Sequence, residues 1–380
     1  MTAHAVSTLH LTGFRCYPTL HLSVGNAPVV LTGSNGAGKT NILEALSFLS
    51  PGKGLRQSAL ADILTRKPEM PTPLAQEWGI ATLLCTQSGD HIELGTSYSL
   101  ATPNKRLIKI SGKITRDQKA LAEIIHVSWV TPMMDGLFLG SSRERRHFFD
   151  RLTYAFHPDH ANLVSQYEKL LKERMTLLQE EHFDPIWLHT LEHQLAGLAV
   201  AIAANRNDAL SIIQTSIDLT LSAFPKALLR IVGQCETWLQ EMPAIEAEAL
   251  LSQSYLKNRD RDRISGRNHV GPQTSDLAVT HGINHMPAHQ CSTGEQKALL
   301  LSIILAHIRA KVTWHQHPPI VLLDEVVAHL DITRRHALFE ELLLLKSQAW
   351  LTGTDASLFE GLGGKAQFIK VDAGQCVPCG

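Results

Sequence analysis

The chain has 380 residues, of which 44% are hydrophobic and 19% are charged, a composition typical of a globular protein with a large core and more than one lobe. Its formal net charge of -1 provides no overall attraction to nucleic acid, so any DNA contact must come from local basic patches. No apolar run approaches the roughly 20 residues that cross a bilayer, and residues 1–4 carry no export signal, so we expect a cytoplasmic protein with no membrane partner.

The N-terminal part of the chain is predicted to be rich in strands. Alternating apolar residues predict strands at residues 8–11 and 20–24, and an apolar run predicts another at residues 28–32. A glycine-rich turn then leads into a helix predicted over residues 39–49. Between residues 79 and 114, short β-rich pieces separated by turn residues predict an antiparallel meander.

A phosphate-binding loop is predicted between the third strand and the first helix. The pattern G-x-x-x-x-G-K-[ST] is matched by Gly33, Ser34, Asn35, Gly36, Ala37, Gly38, Lys39 and Thr40. The glycines let backbone N–H groups approach phosphates, and the helix N-terminus adds its partial positive charge. Lys39 is predicted to contact the β- and γ-phosphates and Thr40 to ligate Mg²⁺, so ATP and Mg²⁺ are the predicted cofactors.

Residues 143–221 are predicted to be helical, because glycine is rare there and large apolar residues recur on one face. These residues are Leu163, Tyr167, Leu170, Leu171 and Leu178. Pro185 cannot continue a helix and disfavours helix in the residue before it, so it divides the stretch into two long antiparallel helices. We therefore predict a helical lobe over residues 141–225, whose apolar stripe we expect to be core rather than a partner surface.

Strands and helices alternate in the C-terminal part of the chain. The predicted strands are residues 228–232, 277–280, 320–323, 349–352 and 368–371, and the predicted helices are residues 293–311 and 333–345. The segment 320–323 reads Ile-Val-Leu-Leu, and a strand that is apolar throughout is typically covered on both faces. We therefore place it centrally in a sheet.

Asp324 and Glu325 follow that central strand directly, so the strand aims two carboxylates at the phosphate site. Asp324 is predicted to hold Mg²⁺ through water, and Glu325 is predicted to be the general base that polarises the attacking water. Many strands end in solvated acids, and it is the combination with the phosphate loop that favours catalysis. The predicted catalytic residues are Lys39, Asp324 and Glu325.

A third motif, with an S-x-G-x-Q core, opens the helix predicted at residues 293–311. Its core residues are Ser292, Gly294 and Gln296, and a helix start with open N–H groups is an anion site. The motif resembles the signature of ABC-type ATPases in the reduced form of the SMC and RecF families; alone, it also fits a plain helix cap. The resemblance implies that these residues contact the γ-phosphate held by the other subunit, and that Asp331 is the D-loop residue at the dimer interface.

The order of the motifs predicts the domain organisation. The phosphate loop lies near one end of the chain, and the signature, the acidic pair and the D-loop lie near the other, so both ends must fold into one head. We predict an α/β fold: an ABC/SMC-type ATPase head, with a mixed sheet and a phosphate loop, plus the helical lobe. Residues 1–140 and 226–380 are expected to form the head around the inserted residues 141–225.

Within this class the chain is similar to the RecF family over nearly its whole length. The similarity rests on L-x-x-F-R-x-Y ending at Tyr17, on Val130-Thr131-Pro132, on residues 143–150 and on Gly271-Pro272-Gln273 with Asp276. Gln273 stands where the family has histidine, and Ser128 stands where a Q-loop glutamine is sought. A switch histidine is also absent from the sequence near Thr354, which becomes the candidate γ-phosphate sensor.

The resemblance implies a slow, DNA-stimulated ATPase that dimerises with ATP and binds DNA, without sequence preference, at gaps and single-strand/double-strand junctions. It also implies work with RecO and RecR to load RecA, and a role in the SOS response. The alternatives are an SMC-like structural DNA clamp and an ABC transporter ATPase subunit. The short helical stretch carries no sustained heptads, which favours the RecF family over long SMC proteins.

Three basic clusters are candidates for phosphate contacts: Lys53 with Arg56, residues 105–116, and residues 257–267. The last alternates arginine with aspartate, so a self-paired, solvated face is the alternative there. Aromatic residues do not interleave with these clusters, which favours backbone contacts over base stacking.

Cysteine use indicates a reduced protein, because six cysteines are spread along the whole chain. Cys376 and Cys379 form a C-x-x-C pair, which supplies only half of a zinc site. We therefore expect a free tail rather than a metal site.

Overall fold

The computed structural model describes residues 3–66, 73–86, 88–103, 105–181, 184–315 and 318–379. The chain forms two compact units, the first of Met1–Met134 with Lys311–Gly380 and the second of Asp135–Ala310. The first unit therefore joins the two ends of the chain, as the order of the motifs requires. The second unit contains the predicted helical lobe but continues to Ala310, beyond its expected end at residue 225.

The strands of the described residues are numbered in chain order. They are β1 (Ala3–Phe14), β2 (Tyr17–Ser23), β3 (Val29–Thr32), β4 (Glu77–Thr86), β5 (His91–Ser99), β6 (Arg106–Ile110), β7 (Lys113–Thr115), β8 (Val127–Val130), β9 (Ala227–Val232), β10 (Asp276–His281), β11 (Ile320–Leu323), β12 (Ala349–Gly353), β13 (Gln367–Asp372) and β14 (Gln375–Cys379). Every predicted strand is present. The free tail predicted at the C-terminus is wrong, because β14 pairs with β13 in an antiparallel hairpin.

The helices are numbered in the same way. They are α1 (Lys39–Ser47), α2 (Lys119–Ala122), α3 (Ser142–Thr153), α4 (His160–Gln179), α5 (Pro185–Leu219), α6 (Gln234–Glu241), α7 (Ala244–Lys257), α8 (Arg259–Ser265), α9 (Thr293–His315) and α10 (Ile332–Leu344). The predicted break at Pro185 is confirmed, because α5 begins there and the Asp184 carboxylate caps it. Although α5 is long, in the part of the chain that the structure describes no helix has the length and hydropathy of a membrane span.

The first sheet of the first unit is antiparallel and contains the predicted meander. Its six strands lie in the order β2-β1-β4-β5-β6-β7. Burial alternates along β4, where Trp78, Ile80 and Leu84 point into the core. One face of this sheet is therefore packed and the other is solvated.

The second sheet of the first unit positions the candidate site. Its order is β14-β13-β3-β12-β11-β8, with parallel pairing from β13 through to β8. The interior strands β3, β12 and β11 are buried along their whole length, as expected for central parallel strands. The carboxyl ends of these strands lie at one edge, which is where ligands bind in such sheets.

A continuous apolar core joins residues of both sheets and α1. At its centre the rings of Phe14, Phe48 and Trp78 contact one another, with centroids 5.4–6.3 Å apart and, for Phe14 against each of the other two, edge-to-face geometry. Edge-to-face aromatic pairs add to the stabilisation that burial of their area provides. The packing fixes α1, and with it the end of the phosphate loop.

The second unit is built around α5, which contacts α3, α4, α6 and α7 and the strand β9. A second apolar core includes Leu195 and Ala199 of α5, Cys235 of α6 and Leu251 of α7. Because these later helices complete the core that α5 begins, the compact unit extends past the predicted boundary. β9 and β10 pair only with each other among the described strands.

Buried charges attach α8 to this unit. The side chains of Arg174, Glu192 and Asp262 are all 0% exposed, and the Arg174 guanidinium lies 3.0 Å from Glu192 and 2.7 Å from Asp262. Arg259 adds a second contact to Glu192 at 2.6 Å. Each buried charge is therefore stabilised by a partner of opposite sign.

Substituting Glu192→Gln tests this network. Removing the negative charge leaves Arg174 buried without full compensation, and we expect a loss of roughly 3 kcal/mol in the free energy of unfolding. Asp208→Asn is the matched control, because Asp208 is 52% exposed in its pair with His157, and a surface pair contributes at most about 1 kcal/mol. Equal urea midpoints for the two variants would contradict the buried network.

Candidate nucleotide site

The phosphate loop follows β3 and packs closely against Tyr17 and Val371. Gly38 has φ 113°, and a Cβ there would lie 2.5 Å from the Tyr17 hydroxyl oxygen. A Cβ on Gly33 would overlap the Val371 carbonyl oxygen. Glycine is therefore required at both positions, because other residues would meet fixed atoms and rarely adopt such φ values.

Two residues of the L-x-x-F-R-x-Y segment hold this loop and its helix. The Tyr17 hydroxyl donates to the Gly38 carbonyl at 3.1 Å. The Arg15 guanidinium forms two hydrogen bonds of 2.6 and 2.8 Å with Glu44 of α1, whose side chain is 0% exposed. A paired arginine and carboxylate fix direction as well as distance, so this segment positions the start of α1.

The start of α1 is open for an anion. Gly38 is the N-cap and provides no side-chain hydrogen bond to the first turn, so N–H groups of that turn have no intrahelical partner. Ser34, Asn35 and Gly36 are exposed on the loop above it. This arrangement of backbone donors and helix dipole suits a phosphate group.

Lys39 extends back along the loop and is 4% exposed. Its Nζ donates to the carbonyl oxygens of Gly33 at 2.7 Å and Ser34 at 2.8 Å. Burial lowers the pKa of Lys39, and the nearby carboxylates of Glu325 and Asp324 oppose that shift. The ammonium is thus held inside the loop, in the electrostatic field of the acidic pair.

The two predicted magnesium ligands lie together. The Thr40 hydroxyl donates to the Asp324 carboxylate, at 2.9 Å from Oδ1 and 3.1 Å from Oδ2. Hydroxyl and carboxylate oxygens are the hard ligands that Mg²⁺ takes, with water and substrate phosphates completing its shell. The donor set therefore fits Mg²⁺.

Thr352 connects the members of the acidic pair. It lies on β12, between the phosphate-loop strand β3 and the acidic strand β11, and it is 1% exposed. Its hydroxyl donates to Asp324 Oδ1 at 2.8 Å and accepts the backbone N–H of Glu325 at 2.9 Å. No sequence motif predicts this role of Thr352; the available signal is a hydroxyl at the end of an apolar strand.

Glu325 has a strained backbone. Its φ is 53°, a left-handed value that is uncommon for a residue other than glycine and costs on the order of 1–3 kcal/mol. The hydrogen bond from its N–H to Thr352 helps to hold this conformation. Strained residues cluster at functional sites, which agrees with the predicted role of Glu325.

The sensor candidates lie at the same sheet. Thr354 is exposed just beyond the end of β12, and its role as γ-phosphate sensor stays a prediction. Ser128 lies within β8, and its buried hydroxyl has no hydrogen-bond partner among the described residues. Its burial inside a strand gives Ser128 no direct path to a ligand.

The signature residues belong to the second unit. Ser292 and Glu295 form reciprocal bonds, with the Ser292 N–H and hydroxyl donating to Glu295 Oε2 at 2.9 and 2.8 Å. Ser292 and Gly294 are exposed at the start of α9. Gln296 is 5% exposed, and its amide donates to the Cys291 carbonyl at 2.9 Å, so it braces the motif from inside.

The predicted D-loop residue Asp331 is exposed in the first unit. Its carboxylate caps α10 by accepting the Arg334 N–H at 2.8 Å. An aspartate cap stabilises a helix start, and the second carboxylate oxygen lies 3.6 Å from the Arg334 guanidinium. Asp331 therefore has a structural role as the cap of α10, besides the interface role that is predicted for it.

Two arginines of the predicted basic clusters are structural, which corrects their assignment to phosphate contacts. Arg106 is 6% exposed and donates to the Thr96 hydroxyl at 2.7 Å and to the Gly52 carbonyl at 3.1 Å. Burial lowers the pKa of Arg106 to about 10. Arg259 is committed to the buried Glu192. The exposed cations that remain are Lys53, Lys105, Lys109, Lys113, Arg116, Lys257, Arg261, Arg263 and Arg267.

The C-terminal cysteines are free thiols on β14. Cys376 is partly buried, and burial raises its pKa to about 11. Within the described ranges, no three or more His, Cys, Asp or Glu side chains gather as a metal-binding group.

Comparisons with known proteins agree with these motifs. The model of the family described as RecF/RecN/SMC N terminal domain matches residues 5–372. A DNA replication and repair protein RecF from Allorhizobium ampelinum is 42% identical over 372 residues, covering 97% of this chain and 97% of that protein. A protein of the same name from Brucella suis is 42% identical over 373 residues, covering 98% and 95%.

Solved structures show the fold. The chain is similar to a structure of the recombination mediator protein RecF-ATPrS in the RecFOR pathway, with a TM-score of 0.86, 19% identity, and coverage of 100% of this chain and 99% of that one. An Smc head domain from Pyrococcus furiosus gives a TM-score of 0.56 at 15% identity, covering 98% and 96%. The predicted ABC/SMC-type head is therefore confirmed.

Substituting Thr352→Val tests the connecting hydroxyl. Valine keeps the shape but leaves the Glu325 N–H without its partner and removes one of the two hydrogen bonds to Asp324 Oδ1, so we expect about 1–3 kcal/mol less stability in urea unfolding. Thr352→Ser keeps the hydroxyl and should restore most of that loss. If the valine and serine variants unfold at the same midpoint, the two hydrogen bonds do not hold the site.

Proposed function

Because this chain belongs to the RecF family, within the wider RecF/RecN/SMC family, we propose that it is an ATP-driven DNA replication and repair protein. The observation that carries the proposal is the 2.9 Å contact between the Thr40 hydroxyl and the Asp324 carboxylate. That contact joins the phosphate loop to the acidic pair. Support also comes from the names of relatives, which are DNA replication and repair proteins.

ATP is the proposed ligand of the phosphate loop. A similar solved structure is named RecF-ATP, and here the loop offers open N–H groups at α1 together with the Lys39 ammonium. In the proposed complex, Lys39 exchanges its loop carbonyls for the β- and γ-phosphates. Thr40 and Asp324 would hold Mg²⁺, which neutralises phosphate charge when it is bound.

Hydrolysis is proposed to be slow and stimulated by DNA, with Glu325 as the general base. A carboxylate beside the metal ligand can orient and polarise a water for attack on the γ-phosphate. The left-handed backbone conformation of Glu325 and the hydrogen bond from its N–H to Thr352 fix the backbone position from which the Glu325 side chain extends. Glu325 thus holds the water, while Lys39 and the α1 N–H groups stabilise the phosphate charge.

Dimerisation is proposed to complete the site. Ser292 and Gly294 are exposed at the start of the long helix α9, and a helix N-terminus attracts anions through its partial positive charge. In the proposed dimer they contact the γ-phosphate bound by a second copy, with Asp331 beside them. ATP then becomes part of the interface, so its hydrolysis releases the dimer.

DNA is proposed to bind the dimer through its backbone, at gaps and single-strand/double-strand junctions. A single chain with net charge -1 neutralises few phosphates, whereas a dimer doubles the number of exposed cations, such as Lys105, Lys109 and Arg116. Affinity should therefore rise with ATP and fall steeply with salt.

The proposed partners are RecO and RecR, with RecA loading and the SOS response as the pathway, in the cytoplasm. A similar structure is described as a recombination mediator in the RecFOR pathway. A transporter ATPase subunit is disfavoured because relatives matched over nearly their full length are named as repair proteins. A purely structural clamp is disfavoured because Glu325, the proposed general base, directly follows Asp324, which accepts the Thr40 hydroxyl of the phosphate loop.

The variant Ser292→Arg tests trans action of the signature. We expect sedimentation velocity to show an ATP-dependent dimer for the wild-type protein, with and without DNA, and a monomer for the variant. ATP affinity of the variant should stay within about twofold, because the bulky cation blocks only the contact with a second copy. Ser222→Arg, at another exposed serine of the same unit, should dimerise normally.

The opposite pattern would remove the dimer model. If Ser292→Arg still dimerises with ATP while its own ATP affinity falls, the signature acts on the nucleotide of its own chain.

A further inference from the structure

His10 and His21 face each other on the solvated side of the antiparallel sheet. They are direct cross-strand partners on β1 and β2, and both side chains are exposed. Their Nδ1 atoms are 3.1 Å apart, and their ring centroids are 3.9 Å apart. Two nitrogen atoms capable of metal ligation thus converge on one point of the surface, apart from the phosphate loop.

We propose that His10 and His21 form a two-histidine site for a divalent transition-metal ion of the Ni²⁺, Cu²⁺ and Zn²⁺ class. Imidazole suits these ions, whereas Mg²⁺ prefers oxygen ligands. With metal–nitrogen bonds of about 2.0–2.1 Å, nitrogens 3.1 Å apart subtend an angle of about 100° at the ion. That angle lies between the octahedral and tetrahedral values, so the separation of the two nitrogens suits a single ion.

Ser23 supports the required protonation state of His21. Its hydroxyl lies 3.4 Å from His21 Nε2, where it can accept the Nε2–H proton and leave the Nδ1 lone pair facing His10. Such outer hydrogen bonds fix the tautomer of metal-binding histidines.

The rest of the coordination shell is open. Among the residues that the structure describes, no third His, Cys, Asp or Glu joins the pair. His10 borders a shallow hollow over Ala81 and Gly95, with Glu93 and Lys109 on its rim. The small residues leave space for water ligands, so the site binds a metal reversibly rather than as a permanent structural centre.

The two histidines lie on the hairpin that also holds the phosphate loop. β1 and β2 form a hairpin in which Arg15 of the turn and Tyr17, the first residue of β2, hold α1 and the phosphate loop. An ion that bridges the two strands fixes their pairing and stabilises the edge strand β2, the last strand of its sheet. Metal binding by His10 and His21 requires neither ATP hydrolysis nor DNA binding by the chain.

The test is a Ni²⁺ titration by calorimetry of the full chain, carried out without nucleotide. His10→Ala and His21→Ala should each weaken the site at least tenfold, and the double variant should lose little more, because one imidazole alone cannot chelate and binds Ni²⁺ only weakly. His91→Ala is the control, since His91 is exposed on β5 in the same sheet and should leave the titration unchanged. Affinity should also fall as the pH drops through the histidine range, because protons compete for Nδ1.

Pulsed electron paramagnetic resonance with Cu²⁺ provides a readout that does not depend on affinity. Two coupled imidazoles are expected in the wild-type protein and one in each single variant. The proposal is overturned if His10→Ala and His21→Ala both bind Ni²⁺ as tightly as the wild-type protein, or if Cu²⁺ in the wild-type protein couples to a single imidazole. The circular dichroism spectrum of each variant should match that of the wild-type protein, because both substitutions lie on the surface.

Discussion

The candidate site depends on the hydrogen bonds that Asp324 forms. Its Oδ1 accepts hydrogen bonds from Thr40 at 2.9 Å and Thr352 at 2.8 Å, and its N–H donates to the Val130 carbonyl at 3.0 Å. These partners end neighbouring parallel strands or follow them, so they meet only if the whole sheet is in register. Thr40 and Asp324 are 284 residues apart in sequence, so the site forms only when both ends of the chain fold together.

The buried Thr352 side chain orients both residues of the acidic pair, Asp324 and Glu325. A left-handed backbone at Glu325 is unfavourable by itself, and the buried Thr352 hydroxyl stabilises it while also holding Asp324. One side chain therefore orients both the proposed metal ligand and the proposed general base. Such preorganisation is where electrostatic catalysis gains most, because the groups need not move during the reaction.

Much of the fold and of the nucleotide site could be predicted from the sequence, because strand periodicity, the phosphate loop and the strand ending in Asp324-Glu325 are local patterns. Roles set by distant partners could not be predicted. In the sequence, Arg106 and Arg259 look like surface cations. In the structure, Arg106 is bonded to backbone carbonyls and Arg259 is paired with the buried Glu192. The same applies to β14, because a polar tail becomes a strand only where β13 offers an open edge.

The central claim is that one site binds ATP and hydrolyses it with Glu325 as the base, and Glu325→Gln measures it most directly. ATP affinity and ATP turnover are compared with those of Glu340→Gln, an exposed glutamate on α10. We predict that Glu325→Gln keeps its ATP affinity within about twofold while turnover falls at least about 100-fold, and that Glu340→Gln changes neither. Turnover at the wild-type rate in Glu325→Gln, or loss of ATP binding together with turnover, would contradict it.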